Sequence, residues 1–345
     1  MMNTDYKLVI EKTWNEFNGK QKIENIEDIS ANVSTNRVFR INLVNESPII
    51  AKLSQFGEHE FFLEDHEIIN SLANNLRFPH DHFIARSLNK ENKIFCKRYK
   101  DHISNVWIVF YNPIRIKEKP PKIFTEAQII KSGEQLAYFH KSCSSILNEL
   151  PVSIKTMETD IIDLKRELHT KPKYKEANFI VKEIEKQCNT FLENCEKIGL
   201  HQMEKIPVFV DWNIGNFSVD KKFRFFSRWD YDWFRMSTRV MDFYFWSRVV
   251  RAEGDQDTFS YTINPMLEDR FIIFLKAYHK IFPLEKNEIK FIKESYRFFL
   301  LHYVVHLGDY FFRDTHAGRL KKETFASYFS SIDEFDTDKI INTLF

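Results

Sequence analysis

The chain has 345 residues, enough to bury a substantial core as one large or two modest domains. Hydrophobic residues make up 43% and charged residues 29%, a globular composition that excludes a disordered chain. Lys+Arg 50 against Asp+Glu 49 leaves a formal charge of +1, which removes the electrostatic case for a nucleic-acid or membrane-surface partner.

In chain order, Val38 to Leu43 alternates apolar and polar side chains, as a half-buried strand does. Ser47-Pro48 marks a turn, and Ile49 to Leu53 follows as the second arm of a hairpin. The spacing of Phe62, Ile69 and Leu72 predicts a helix over Glu58 to Asn74. Phe83 to Leu88 and Lys93 to Arg98 read as a second hairpin, turning through Asn89 to Asn92. After Tyr99 the pattern becomes helical. Thr125 and Gln128 have capping-box spacing ahead of a stripe of Ile129, Gly133, Leu136 and His140. Residues 155–205 read as long helices joined near Lys171-Pro172-Lys173, and 265–345 as further helices. Only Val208 to Asp232 interrupts, with short apolar runs around a polar loop. The expected fold class is α+β in two lobes, divided as 1–99 and 100–345.

The four cysteines, Cys96, Cys143, Cys188 and Cys195, form no C-x-x-C pair, so neither a disulfide framework nor a zinc knuckle is expected and a reducing compartment fits. The amino terminus lacks the features of a signal peptide, and the most apolar stretch, Phe298 to Leu307, is too short to span a bilayer. A cytoplasmic protein without a membrane partner is expected.

The chemistry concentrates in two segments. Asp211-Trp212-Asn213-Ile214-Gly215-Asn216 places a carboxylate and an amide oxygen on one loop, and Trp229-Asp230-Tyr231-Asp232 follows about twenty residues on. Alone, Asp211 and Asn216 read more readily as turn formers. With Asp230 they make a hard-oxygen set suited to Mg²⁺, which prefers one or two carboxylates plus phosphate oxygens. Asp211 could take a proton from an attacking hydroxyl. His302 and His306 share a helix face but have no acidic or cysteine partner nearby in sequence, so they read as core or pocket lining.

These residues resemble the aminoglycoside phosphotransferase and choline kinase family. Asp211 to Asn216 is similar to its H-G-D-x-x-x-x-N loop, and Trp229-Asp230-Tyr231-Asp232 to its I-D-W/F-D/E strand. Leu136-Ala137-Tyr138-Phe139-His140 resembles its L-A-x-L-H helix, and Ser34 to Ile41 its S-x-N-x-V-Y/F-x-V/I opening strand. The resemblance implies a protein-kinase-like bilobal fold, with a small antiparallel-sheet N-lobe carrying one helix and a larger, mostly helical C-lobe. It implies a small-molecule kinase that moves the γ-phosphoryl of ATP or GTP to a hydroxyl acceptor.

In that reading Asp211 is the base, and Asn216 and Asp230 hold Mg²⁺. Lys52 pairs the phosphates and is steadied by Glu67, with Glu64 and Glu60 as alternates. Ser34, Thr35 and Asn36 cover the phosphates in place of glycines. Tyr231, Asp232 and Trp233 stand on the acceptor side, where an acid beside aromatics suits an amino alcohol or amino sugar. Asp232 reads equally as a second metal-side carboxylate or a solvated acid, and Asp242 as a helix cap or loop brace. The family's His-Gly is Phe209-Val210 here, and Ser227-Arg228 interrupts an otherwise apolar strand. These two departures, and the lack of any glycine in residues 30–40, favour the alternative, a catalytically inactive kinase-like nucleotide-binding or regulatory protein.

Overall fold

The computed structural model describes residues 4–31, 35–55, 57–102, 104–171, 178–254 and 260–345. Strand-forming runs at the front build a five-stranded antiparallel sheet in the order β1-β2-β3-β7-β6. Its strands are β1 (Ile23–Asp28), β2 (Arg37–Leu43), β3 (Ile49–Ser54), β6 (Cys96–Lys100) and β7 (Asn105–Tyr111). The expected first hairpin is β2–β3, in a register that sets Lys52 opposite Val38 and, on the other side, opposite Val109 of β7. The expected second hairpin shrinks to β4 (Asn89–Lys90) and β5 (Lys93–Ile94), around a turn where Glu91 and Asn92 take positive φ. Phe83 to Leu88 makes only isolated bridges, from Ile84 to Arg228 and from Ser87 to Tyr111.

The sheet runs past the boundary expected at residue 99. β7 is buried on both faces, so Asn-Val-Trp-Ile-Val-Phe-Tyr shows no polar alternation to mark it as a strand. Its Val106, Ile108 and Phe110 pack with Val9, Ile10 and Trp14 of a further helix, α1 (Tyr6–Asn18). Its Trp107, Val109 and Tyr111 join Ile68, Ile69 and Leu72 of α2 (His59–Asn75) on the other face. On β3, Ala51 and Leu53 belong to the α1 side. Strand alternation therefore aims Lys52 at the opposite face, toward the rest of the chain.

The remainder is mostly helical. α3 (Glu126–Ser144) starts at the expected capping box, in which the Gln128 N–H donates to Thr125 Oγ1 at 3.3 Å and the Thr125 N–H to Gln128 Oε1 at 2.9 Å. α4 (Met157–Thr170) and α5 (Asn178–Ile198) follow, and the expected junction at Pro172-Lys173 lies outside the described residues. Two short ribbons then pair β8 (Ile206–Val208) with β11 (Arg235–Ser237) and β9 (Phe217–Val219) with β10 (Phe225–Arg228). α6 (Phe243–Val250), α7 (Asn264–Leu267), α8 (Asp269–Ile281) and α9 (Lys286–Phe299) follow, and the residues after them also join the core. α9 continues as a π-helical stretch, Leu300–His306, into α10 (Gly308–Phe311). Among the described residues no helix is long and apolar enough to cross a membrane.

Helices α3 and α8 cross in close contact at Gly133. A Cβ there would stand 2.4 Å from the Phe274 carbonyl oxygen and 3.1 Å from the Ala277 Cβ. Gly133→Ala should therefore destabilise the protein by about 1–3 kcal/mol, as overpacking an interior contact does. A urea midpoint equal to wild type would show that the two helices separate without cost.

Candidate active site

The loop between β8 and β9 is shaped by one buried carboxylate. Asp242, at the start of α6, is fully buried, and its Oδ1 accepts from the Phe209 N–H at 3.0 Å and the Val210 N–H at 2.7 Å. Its Oδ2 takes a third bond, 2.9 Å, from His140 Nε2, and His140 Nδ1 lies 2.8 Å from the Tyr278 hydroxyl. Burial holds the His140 imidazole below its usual range despite Asp242, so the neutral ring donates from Nε2 and accepts from Tyr278 at Nδ1. Asp242 thus braces the loop from the α3 and α8 side. The brace forces Val210 to φ 60, a left-handed conformation costly for a β-branched residue.

The bend delivers Asp211 to the cleft. Its Oδ2 accepts from Asn216 Nδ2 at 3.0 Å, and its Oδ1 from Asn213 Nδ2 at 2.5 Å and the Asn213 N–H at 3.3 Å. Burial and the nearby Asp230 charge push its carboxyl up to about 7, against the pull of Arg228. The Trp229 N–H donates to the Asn216 carbonyl at 3.0 Å, so the loop and the Asp230 segment are tied side by side. Asp230 itself sits at φ 67.

Lys52 reaches this group from β3, forming ion pairs with Asp230 at 2.9 Å and Asp232 at 2.5 Å. Burial works against its charge, but the two carboxylates keep the ammonium well above its ordinary pKa. Asn36 Nδ2 donates to Asp232 Oδ2 at 2.6 Å. Asp232, the less exposed of the two acids, is raised by burial to about 6. Ser34 lies outside the described residues.

The expected glutamate partner of Lys52 is not the one found. Glu67 and Glu60 are exposed on α2, and Glu64 accepts from Ser153 Oγ at 2.6 Å and the Ile154 N–H at 3.2 Å. Helical periodicity gives the inward face of α2 to Phe62, His66 and Ile69 instead.

Asn216, Asp230 and Asp211 offer hard oxygens in one place, and the repulsion between Asp211 and Asp230 is the kind a divalent cation relieves. Among the described residues no group of three or more His, Cys, Asp and Glu side chains makes a metal cage.

No protein-family model matches the sequence, and no curated protein matches it. Solved structures do match. An amicoumacin kinase in complex with AMP-PNP, Ca²⁺ and Ami aligns at TM-score 0.56 and 15% identity, covering 98% of this chain and 97% of the other. The GDP complex of wild-type aminoglycoside 2′-phosphotransferase-IIIa aligns at 0.56 and 11%, covering 93% and 98%. A macrolide 2′-phosphotransferase type I aligns at 0.55 and 11%, covering 93% and 97%. The chain has the protein-kinase-like fold of these phosphotransferases.

Within that phosphotransferase fold the structure brings Lys52, Asn36, Asp211, Asn216, Asp230 and Asp232 together. It places the other two acceptor-side expectations in the interior. Tyr231 donates its hydroxyl to the Arg228 carbonyl at 2.8 Å and accepts from the Ala85 N–H at 2.6 Å. Trp233 packs among Phe245, Phe299, Tyr303 and Phe311. Sequence reasoning missed His66, a buried ring whose Nε2 has no partner among the described residues. One histidine on an apolar helix face carries no signal of its own.

Asp242→Ala would strand two buried N–H groups and His140, and should cost about 3 kcal/mol or more in denaturant unfolding. The Asp211 shift predicts a pH effect in metal-free protein. Its folded pKa is raised, so between the unfolded carboxylate range and about 7 the native state holds a proton the unfolded chain has lost. Stability must fall as pH rises through that window. Asp211→Asn should flatten this slope, and parallel stability profiles for the two proteins between pH 4 and about 8 would refute it.

Proposed function

We propose that the protein is a small-molecule kinase, transferring the γ-phosphoryl group of ATP or GTP to a hydroxyl of a small acceptor that carries amino groups. The observation that carries this reading is the convergence of Lys52 with Asp230 from 178 residues away, beside an Asp211 carboxylate already held by Asn216. Phosphoryl transfer demands mainly positioning and charge neutralisation, and this short set supplies both.

In this mechanism Asp211 orients the acceptor hydroxyl and takes its proton. A carboxyl poised near neutrality suits a general base at cellular pH. Asn216 and Asp230 would hold Mg²⁺, which supplies charge neutralisation to the phosphates when bound. Lys52 turns from Asp230 and Asp232 to the α- and β-phosphates, while Asn36 releases Asp232 at the mouth of the cleft.

A pocket of about 470 Å³ beside Asp232 and Tyr231, bounded by α2, α4 and the π-helical stretch, suits the acceptor. Six carboxylates line it against four lysine and arginine side chains, and burial holds His66 and His302 neutral at about 3. The four bases pair with Asp65, Asp160, Asp163 and Glu167, so Asp232, once Lys52 turns away, is the acid that would meet a cationic acceptor. Asp232 supports that role by position, whereas Tyr231 lines the pocket with its hydroxyl bonded to backbone and Trp233 packs behind the lining Tyr303.

A non-catalytic reading has one observation in its favour: Lys52 is engaged by Asp230, which the metal would need, and by Asp232. Thermal stability measured with ATP, GTP and ADP, each with and without Mg²⁺, separates the two. A Mg²⁺-dependent rise is expected in wild type and should disappear in Asp230→Ala. Asp211→Ala should keep the rise yet lose turnover by about 100-fold or more across amino-sugar and amino-alcohol acceptors. Undiminished turnover in Asp211→Ala sinks the kinase assignment.

A further inference from the structure

β10 carries an arginine whose setting nothing above explains. Arg228 is fully buried, and its guanidinium carbon lies 4.5 Å from the Phe209 ring centre and 4.4 Å from that of Trp212. The group is thus held against two rings that flank Asp211 in sequence. Its Nη2 donates to the Asp211 backbone carbonyl at 2.9 Å. Nε and Nη1 have no hydrogen-bond partner among the described residues. The backbone around it is anchored, with its N–H on the Phe83 carbonyl at 2.6 Å and its carbonyl accepting from the Tyr231 hydroxyl.

Burying a guanidinium this sparingly bonded is costly, and an apolar side chain of similar volume would fill the space at less expense. Among the described residues, its guanidinium's hydrogen bond and both of its ring contacts fall on the turn from Phe209 to Trp212. Asp242 holds that turn only by the N–H groups of Phe209 and Val210. On the far side of the turn Arg228 holds the Asp211 carbonyl, which Asn216 Nδ2 also reaches at 3.4 Å, and covers the Trp212 ring, which packs against Phe217, Phe225 and Trp246 as well. A planar cation suits this task, since it stacks on rings and donates in its own plane at once.

We propose that Arg228 is a positioning residue for phosphoryl transfer, clamping the Phe209–Trp212 turn so that the Asp211 carboxylate faces the acceptor hydroxyl. The role in transfer rests on the reading of Asp211 as the base; the clamp itself does not. A loss of positioning lowers kcat and leaves nucleotide binding intact, because Lys52, Asn216 and Asp230 are untouched.

The clamp is read first without turnover, by amide hydrogen exchange in wild type, Arg228→Ala and Arg228→Lys. Exchange at Val210 and Trp212 should rise about tenfold or more in both variants, with β2 and β3 unchanged. Unchanged exchange at these amides in a folded variant overturns the proposal. Kinetics follow: kcat should drop about tenfold or more in Arg228→Ala with the nucleotide KM within about twofold of wild type. Added guanidinium, but not ammonium, should restore kcat by re-entering the slot between the rings. Wild-type kcat in the variant, or a loss that guanidinium leaves unrestored, overturns it as well. If Arg228→Ala does not fold, Arg228→Lys keeps charge and most of the volume, and wild-type kcat there is equally fatal. Absence of transfer by wild type, with exchange raised in the variants, would refute the kinase reading and leave the clamp standing.

Discussion

The loop that carries Asp211 depends on one buried carboxylate, Asp242. It sits at the meeting point of α3, α6 and α8 and spends both oxygens on fixed donors, His140 on one side and two loop N–H groups on the other. A charge with no solvent is tolerable only when its hydrogen bonds are complete, and here completion requires the loop to bend where it does. The positive φ at Val210 is the conformational cost of satisfying that acid. The helices therefore set the loop, and the loop sets Asp211.

Charge in the cleft is arranged in two tiers. Lys52 compensates the front pair, Asp230 and Asp232, by direct contact. Arg228 lies behind, where its charge is felt by Asp242, Asp211 and Asp230 through low-dielectric packing rather than by ion pairing. Direct pairs can be exchanged for a ligand's charges. A cation locked behind aromatic rings cannot, so the back tier is structural and the front tier is exchangeable.

The hairpin of β2 and β3, helix α2 and the capping box of α3 were legible because each is a local pattern: strand alternation, helical spacing, a cap three residues from its partner. β7 was not, because a strand buried on both faces loses the alternation that would mark it. The order and spacing of Asp211, Asn216 and Asp230 were legible for a similar reason, since one loop and the adjacent ribbon bring them together over a short stretch. Glu67 as the partner of Lys52 was a plausible choice by spacing alone. It failed because helix rotation, set by the apolar face of α2, turns it to solvent.

By itself, then, the sequence determined the chemical inventory: which acids, amides and lysine are present, in what order, and which lie within one loop of another. Local propensities and short-range spacing act within a few residues, so they survive reading in one dimension. Only the tertiary structure decided which charges compensate which. Lys52 found Asp230 and Asp232 instead of a helix glutamate, and Arg228 became the backing of the Phe209–Trp212 turn rather than a break in a strand. Electrostatic and ring contacts fall off over a few ångströms, and those distances exist only after the sheet, the ribbons and the helices have packed.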